Sequence, residues 1–251
     1  MSDLEGRVAI VTGGGQGIGA VFSAALAGEG ATVVVADLNE ENAKNVAADI
    51  EAKGGKAVAM AVDVSDKAST VSLAARVRET LGGAYVLVNN AAIYHSMKIV
   101  SQMDIDIDYW RKVFSVNVDG ALLMTQAVAP LMMEGGGGRI VNMSSTAPYL
   151  DTWSHYGVTK LALVGLTRGF AKELGKHGIT VNALAPGPIF TDATMMTISE
   201  ERTTQVLNAQ FVQIRATPEI LVPTLLHLCT DGARWTTGQV LFVDGGGTPH
   251  F

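Results

Sequence analysis

Sulfur chemistry is nearly absent from this chain. Among 251 residues only Cys229 is a cysteine, so no internal disulfide can form. It lies in the apolar stretch Leu225-Leu226-His227-Leu228-Cys229 and reads as a small core residue. No Cys/His group has zinc-ligand spacing, so no metal is expected. Basic runs are missing too. With 18 Lys and Arg against 24 Asp and Glu the formal charge is −6, and the cations are dispersed, which excludes nucleic acid as a partner. Long apolar runs are also lacking. The greasiest stretch, Ala121 to Met133, is interrupted by Thr125, Gln126 and Pro130 and falls short of the roughly 20 residues that span a bilayer. Met1 to Gly6 carries neither the basic nor the apolar region of a signal peptide. The expectation is a cytoplasmic location with no membrane partner.

Hydrophobic residues make up 48% of the chain and charged residues 17%, enough apolar material for a large core. Short β-branched runs alternate with longer helical segments. Strands are predicted over Val8–Thr12, Thr32–Ala36, Ala57–Val62, Tyr85–Asn89, Arg139–Met143, Ile179–Ala185 and Gln239–Val243. Helices are predicted over Gly17–Gly28, Glu40–Lys53, Asp66–Leu81 (capped by Ser65 or Asp66), Asp106–Met133 and Ser154–His177. Apolar strands without alternation suit a parallel sheet covered on both faces. The pattern predicts an α/β Rossmann-type doubly wound fold, with about seven parallel strands in a single domain over 1–251.

The first strand runs into Thr12-Gly13-Gly14-Gly15-Gln16-Gly17-Ile18-Gly19. Strand, glycine turn and helix start are what a pyrophosphate needs, because glycine lets the backbone approach and the helix offers free N–H groups. Asp37 ends the second strand, near the spacing of about 20 residues expected for the carboxylate that accepts both hydroxyls of an adenosine ribose. It would repel a 2′-phosphate. Gln16 and Leu38 beside it offer no cation, so NAD(H) is favoured over NADP(H). A helix-capping role for Asp37 is the plainer alternative.

Tyr156 and Lys160 stand four residues apart on one helix face, just beyond Ser144-Ser145 at the end of a strand. On many helices such a pair is merely exposed. After a strand carboxyl end it suggests chemistry. A free tyrosine titrates near 10, and a lysine charge about 4 Å away supplies roughly 4 kcal/mol toward its anion at an effective dielectric near 20. Tyr156 then becomes an acid/base for an alcohol, and a serine hydroxyl can hold the substrate oxygen.

These motifs together resemble the short-chain dehydrogenase/reductase family along nearly the whole chain. The resemblance assigns Gly13, Gln16, Gly17, Ile18 and Gly19 to the cofactor phosphates. Asp37, Leu38, Asp63 and Val64 go to the adenosine half, and Asn90 and Ala91 to the motif after the fourth strand. Pro186, Gly187, Ile189 and Thr191 form a cradle for the carboxamide. Tyr156 is implied to be the acid/base. Lys160 is implied to bind the nicotinamide ribose and lower the tyrosine pKa, and Ser145 (Ser144 being the alternative) to orient the substrate. Asn117 is implied to kink its helix and hold a water in a relay to Lys160. Ala92 and Tyr85 depart from the family pattern, where Gly and Asp are usual, and the loop from Ser145 to Tyr156 is short.

The variable segments offer Ile93, Tyr94, His95, Tyr149, Leu150, Trp153, Phe190, Met195, Met196 and Phe211, a set that suits an apolar or aromatic alcohol/ketone. His95 and His155 read as solvated. Thr191 to Gln213 is expected to be a lid. Leu161, Val164 and Phe170, with Ala121 to Met124, leave the long helices with surplus apolar surface, and the resemblance implies a homotetramer. The rival functions are a β-ketoacyl thioester reductase, a non-catalytic NAD(H) sensor and a nucleotide-fold enzyme of another class such as a methyltransferase.

Overall fold

The computed structural model describes residues 4–94, 97–98, 100–150, 154–191 and 199–248. Seven strands form one parallel sheet: β1 (Val8–Thr12), β2 (Thr32–Asp37), β3 (Lys56–Ala61), β4 (Val86–Asn89), β5 (Gly138–Met143), β6 (Ile179–Pro186) and β7 (Val240–Val243), in the order β3-β2-β1-β4-β5-β6-β7. The winding reverses between β1 and β4, where Val11 pairs with Val88. Their carboxyl ends open the crevice in which α/β sheets bind ligands.

Consecutive strand residues feed opposite layers. Ala9, Val11, Val33 and Val35 pack with Phe22 and Leu26 of α1 (Gly17–Gly28), Ile50 of α2 (Glu40–Ala52), and Leu225 and Leu228. Ile10, Val34 and Ala36 face the other way, onto Leu73 and Val77 of α3 (Lys67–Leu81) and Met124 and Val128. Each large side chain so buried contributes about 1.5–3 kcal/mol. Asp66, not Ser65, caps α3, its carboxylate accepting from Ala68 and Ser69.

The single helix expected over Asp106–Met133 is three pieces. α4 (Ile107–Phe114) passes through a π-helical turn at Ser115–Asp119 into α5 (Gly120–Glu134). The combined 28-residue run contains an 18-residue window of mean hydropathy 1.2, long and apolar enough to cross a membrane, although Thr125, Gln126 and Pro130 argue against that in the sequence. Half of that window is buried within this fold, which makes it a core helix. α6 (His155–Leu174) starts at Ser154, whose hydroxyl accepts from Gly157. Two helices went unread: α7 (Glu200–Ala209) and α8 (Val222–Cys229), the second entered through a 3-10 turn at Pro218–Leu221. Cys229 is buried, and burial pushes its thiol up to about 12.

Candidate active site

The loop between β1 and α1 is held by side chains from beneath. The Thr12 hydroxyl donates to the Val88 carbonyl at 3.2 Å and accepts from the Asn90 and Ala91 amides at 3.0 and 3.1 Å. Asn90 Nδ2 donates to the Thr12 and Gly13 carbonyls at 2.9 and 3.1 Å. Asn90 and Ala91 therefore set the loop's shape as well as bordering the cavity. Thr12 was missed as a positioning residue, although its place at the last strand position before the glycines was a signal. Gly13 and Gly17 take φ of +62° and +53°. A Cβ on Gly19 would run into the Gly13 carbonyl, whereas one on Gly17 would meet nothing within 4 Å. Gln16 begins α1 without a side-chain cap. Close backbone, open space at Gly17 and uncapped first-turn amides fit a dinucleotide pyrophosphate.

Asp37 is not a helix cap, since Asn39 caps α2 by accepting from Asn42. Its carboxylate accepts from the Gly15 amide through Oδ2 and the Asn39 amide through Oδ1, each at 2.9 Å. It thus ties the glycine loop to β2 while each oxygen keeps a second lone pair. Leu38 beside it is 73% exposed. Asp63 Oδ1 accepts the Ser65 amide and hydroxyl at 2.9 and 2.6 Å. Val64 is buried and packs near Gly120, where an added Cβ would meet its Cγ2 at 2.7 Å.

Across the crevice β5 and α6 bring Ser145, Tyr156 and Lys160 together. The two serines separate cleanly. Ser144 Oγ is committed to the Lys160 carbonyl at 2.9 Å, whereas Ser145 Oγ accepts from the Ala147 amide at 3.1 Å and lies against Tyr156, whose pKa it lowers. Lys160 is buried with Nζ donating to the Met143 carbonyl at 2.6 Å, 5.4 Å from the Tyr156 ring centroid. Its burial lowers its pKa to about 8. The expected lowering of the tyrosine by this lysine is corrected here. Burial chiefly raises Tyr156, the neighbouring Tyr94 adds to the rise, and the bond from Ser145 opposes both. The lysine is itself desolvated, and its Nζ is turned to a main-chain carbonyl, 5.4 Å from the Tyr156 ring centroid.

Asn117 lies in the π-helical turn, which agrees with the disturbed helix the resemblance implied. Its carboxamide does not reach Lys160. Oδ1 accepts from the Ile93 amide at 2.7 Å, and Nδ2 donates to the Ile93 carbonyl and the Thr159 hydroxyl, each at 3.3 Å. Thr159 then donates to the Tyr156 carbonyl at 2.7 Å. Thr159 was missed; its place between Tyr156 and Lys160 drew no notice because a buried hydroxyl has no sequence signature. Thr159→Val strands the buried Asn117 amide and is expected to cost about 1–3 kcal/mol, with Thr159→Ser restoring most of it, as read by urea denaturation.

One cavity of about 400 Å³ joins these parts. Gly13, Gln16, Gly17, Ile18, Gly19, Asn90 and Ala91 line one end, and Ser145, Tyr156, Lys160, Pro186, Gly187, Ile189 and Thr191 the other. Asp37, Leu38, Asp63, Val64 and Asn117 are outside its lining. Of the expected substrate contacts, Tyr94, Leu150 and Phe190 line it, joined by Ala92 and Val206. Ile93, Tyr149 and Phe211 do not. Tyr149 packs edge-on against Phe242 at 5.1 Å, and Phe211 is 90% exposed. His95, Trp153, Met195 and Met196 lie outside the described residues, as do residues 192–198 of the expected lid, while α7 occupies much of the rest of it. His155 is not solvated: it is buried edge-on to Tyr109 at 5.5 Å, and burial lowers its pKa. No cluster of metal-ligating side chains occurs among the described residues.

A glycine-lined cleft at the switch point of a parallel sheet, with paired hydroxyls opposite it, defines a dinucleotide-dependent oxidoreductase. The sequence family described as enoyl-(acyl carrier protein) reductase matches residues 13–248. An uncharacterized oxidoreductase of Mycobacterium tuberculosis is 48% identical over 243 residues, covering 97% of this chain and 98% of that protein. A solved 7α-hydroxysteroid dehydrogenase complexed with NADH and 7-oxo glycochenodeoxycholic acid superimposes with a TM-score of 0.91 at 34% identity, covering 98% and 96% of the two chains. A gluconate 5-dehydrogenase from Burkholderia cenocepacia, in complex with NADP and tartrate, gives 0.90 at 31% identity and covers 97% and 95%. The chain belongs to the short-chain dehydrogenase/reductase family.

Proposed function

We propose that this protein is an NAD(H)-dependent oxidoreductase that interconverts a secondary alcohol and a ketone, with an uncharged, apolar or aromatic substrate. The observation that carries the reading is that Ser145, Tyr156 and Lys160 share the wall of the cavity that ends in the glycine loop. A nicotinamide cofactor held by the loop and the Pro186–Thr191 segment would supply or accept the hydride. Ser145 then holds the substrate oxygen; the Tyr156 hydroxyl gives that oxygen its proton in reduction, and the Tyr156 phenolate takes the alcohol proton in oxidation. The buried Lys160, fixed by Met143, is assigned to the ribose beside the reacting ring. Asn117 keeps the substrate-side loop and α6 in register through Ile93 and Thr159.

The preference for NAD(H) rests on Asp37. Loss of hydrogen bonds to a charged group costs about 1.5–3 kcal/mol, or about 10–100-fold in affinity. Asp37→Ala is therefore expected to weaken NADH binding by that factor and to narrow its lead over NADPH, as measured by fluorescence titration. Equal affinity of the natural protein for the two cofactors would contradict this. Among the described residues Lys160 is the one charged side chain in the lining, which speaks for an uncharged substrate. A panel of aryl, cyclic and linear secondary alcohols, run with NAD⁺ and in parallel with NADP⁺, tests the reading. The expected result is NADH formation with the apolar members.

We also propose a homotetramer. Leu161, 45% exposed on α6, supports it, although Ala121 and Met124 are spent in the chain's own core. A monomer by light scattering would contradict it.

A further inference from the structure

We infer that Tyr94 is the specificity-determining wall of the substrate pocket and selects a planar ring on the substrate's carbinol carbon; this rests on the alcohol/ketone reading above. Tyr94 follows directly on Ile93, whose amide and carbonyl are both held by the Asn117 carboxamide, at 2.7 and 3.3 Å. The backbone that carries the ring is therefore fixed from the π-helical turn. The ring itself rests on the Tyr156 ring, with centroids 5.1 Å apart and a tilt of 51°. The Tyr156 end of this arrangement is fixed too, through Thr159 back to the same carboxamide. One buried amide thus sets both rings. Tyr94 is nonetheless 48% exposed and borders the cavity.

An aromatic surface that is fixed, half open and in contact with the acid/base residue is positioned to meet whatever group the reacting carbon carries. Elsewhere in the lining Leu150 and Val206 are aliphatic, and the other aromatic ring, Phe190, is buried at 4% exposure. A flat unsaturated ring gains offset-stacked or edge contacts with a tyrosine that a puckered saturated ring of similar size cannot make. The selectivity then comes from the shape and quadrupole of the ring, not from charge.

The test compares 1-phenylethanol with 1-cyclohexylethanol in turnover, and acetophenone with cyclohexyl methyl ketone in binding to the protein–NADH complex. In the natural protein the phenyl compound is expected to lead about 10-fold in both measurements. Tyr94→Phe keeps that lead. Tyr94→Leu reduces it to within about twofold in both measurements. A lead that is absent in the natural protein, or that survives Tyr94→Leu, overturns the role of Tyr94 while leaving the alcohol/ketone reading intact. A phenyl lead in ketone binding that Tyr94→Leu removes, with no turnover of any alcohol, supports the wall and overturns that reading.

Discussion

Tyr156→Phe is expected to lower turnover by about 10³-fold while the protein still folds and binds NADH with unchanged affinity. The substitution removes one oxygen and leaves the ring that packs on Tyr94. The size of the effect follows from the tyrosine's surroundings. Its phenol is pushed up by burial and by Tyr94, so it strongly prefers to hold its proton, and the bond from Ser145 opposes that preference. Such a group carries the proton at neutral pH and becomes a base only as the pH rises. Ser145→Ala removes the effect that opposes the rise, so it should lower turnover in both directions and move the pH dependence of alcohol oxidation to higher pH. A Tyr156→Phe protein that kept a tenth or more of its turnover in a steady-state assay would remove Tyr156 from the chemistry.

The second large effect is expected at Gly19. A methyl group there meets the Gly13 carbonyl and comes within 2.7 Å of Asn90 Nδ2. Neither neighbour is a flexible side-chain end. Gly13 is a backbone group at the loop's tightest point, and Asn90 is bonded to two carbonyls of that loop. Gly19→Ala must displace the loop from the Asn90 clamp or tilt the start of α1. The expected outcome is a loss of about 1–3 kcal/mol in stability and at least about 100-fold in NADH affinity, measured by denaturation and by titration. Gly17→Ala separates sterics from backbone conformation. Its Cβ has open space, and the strain comes only from a φ of +53°, so its loss of stability should be about 1 kcal/mol.

Much of the architecture was legible because short β-branched runs between helix starts leave few alternatives to a doubly wound sheet. Strand ends were read to within a residue or two, and the cap of α3 was narrowed to Ser65 or Asp66, of which Asp66 holds the place. The glycine loop and the Tyr156–Lys160 spacing were equally plain, since close backbone approach and a shared helix face both depend on local sequence. What stayed hidden depended on tertiary contact. α7 is polar and α8 short, so neither carries a strong period. Asn117, in the π-helical turn, bonds Ile93 and Thr159, residues far apart in sequence. Sequence alone left Ser144 and Ser145 open, and only the commitment of Ser144 to the Lys160 carbonyl distinguishes their surroundings. The direction of the Tyr156 shift was misread because spacing reports which residues share a face, not how deeply they lie. His155 was misread for the same reason.

The most direct test of the central claim is hydride transfer itself. The protein is incubated with NAD⁺ and a panel of secondary alcohols carrying deuterium on the carbinol carbon, and both products are read by mass spectrometry. The predicted result is one deuterium on the reduced cofactor for each ketone formed, with about 10³-fold slower transfer by the Tyr156→Phe protein. Tight NADH binding without deuterium transfer from any alcohol would contradict the account.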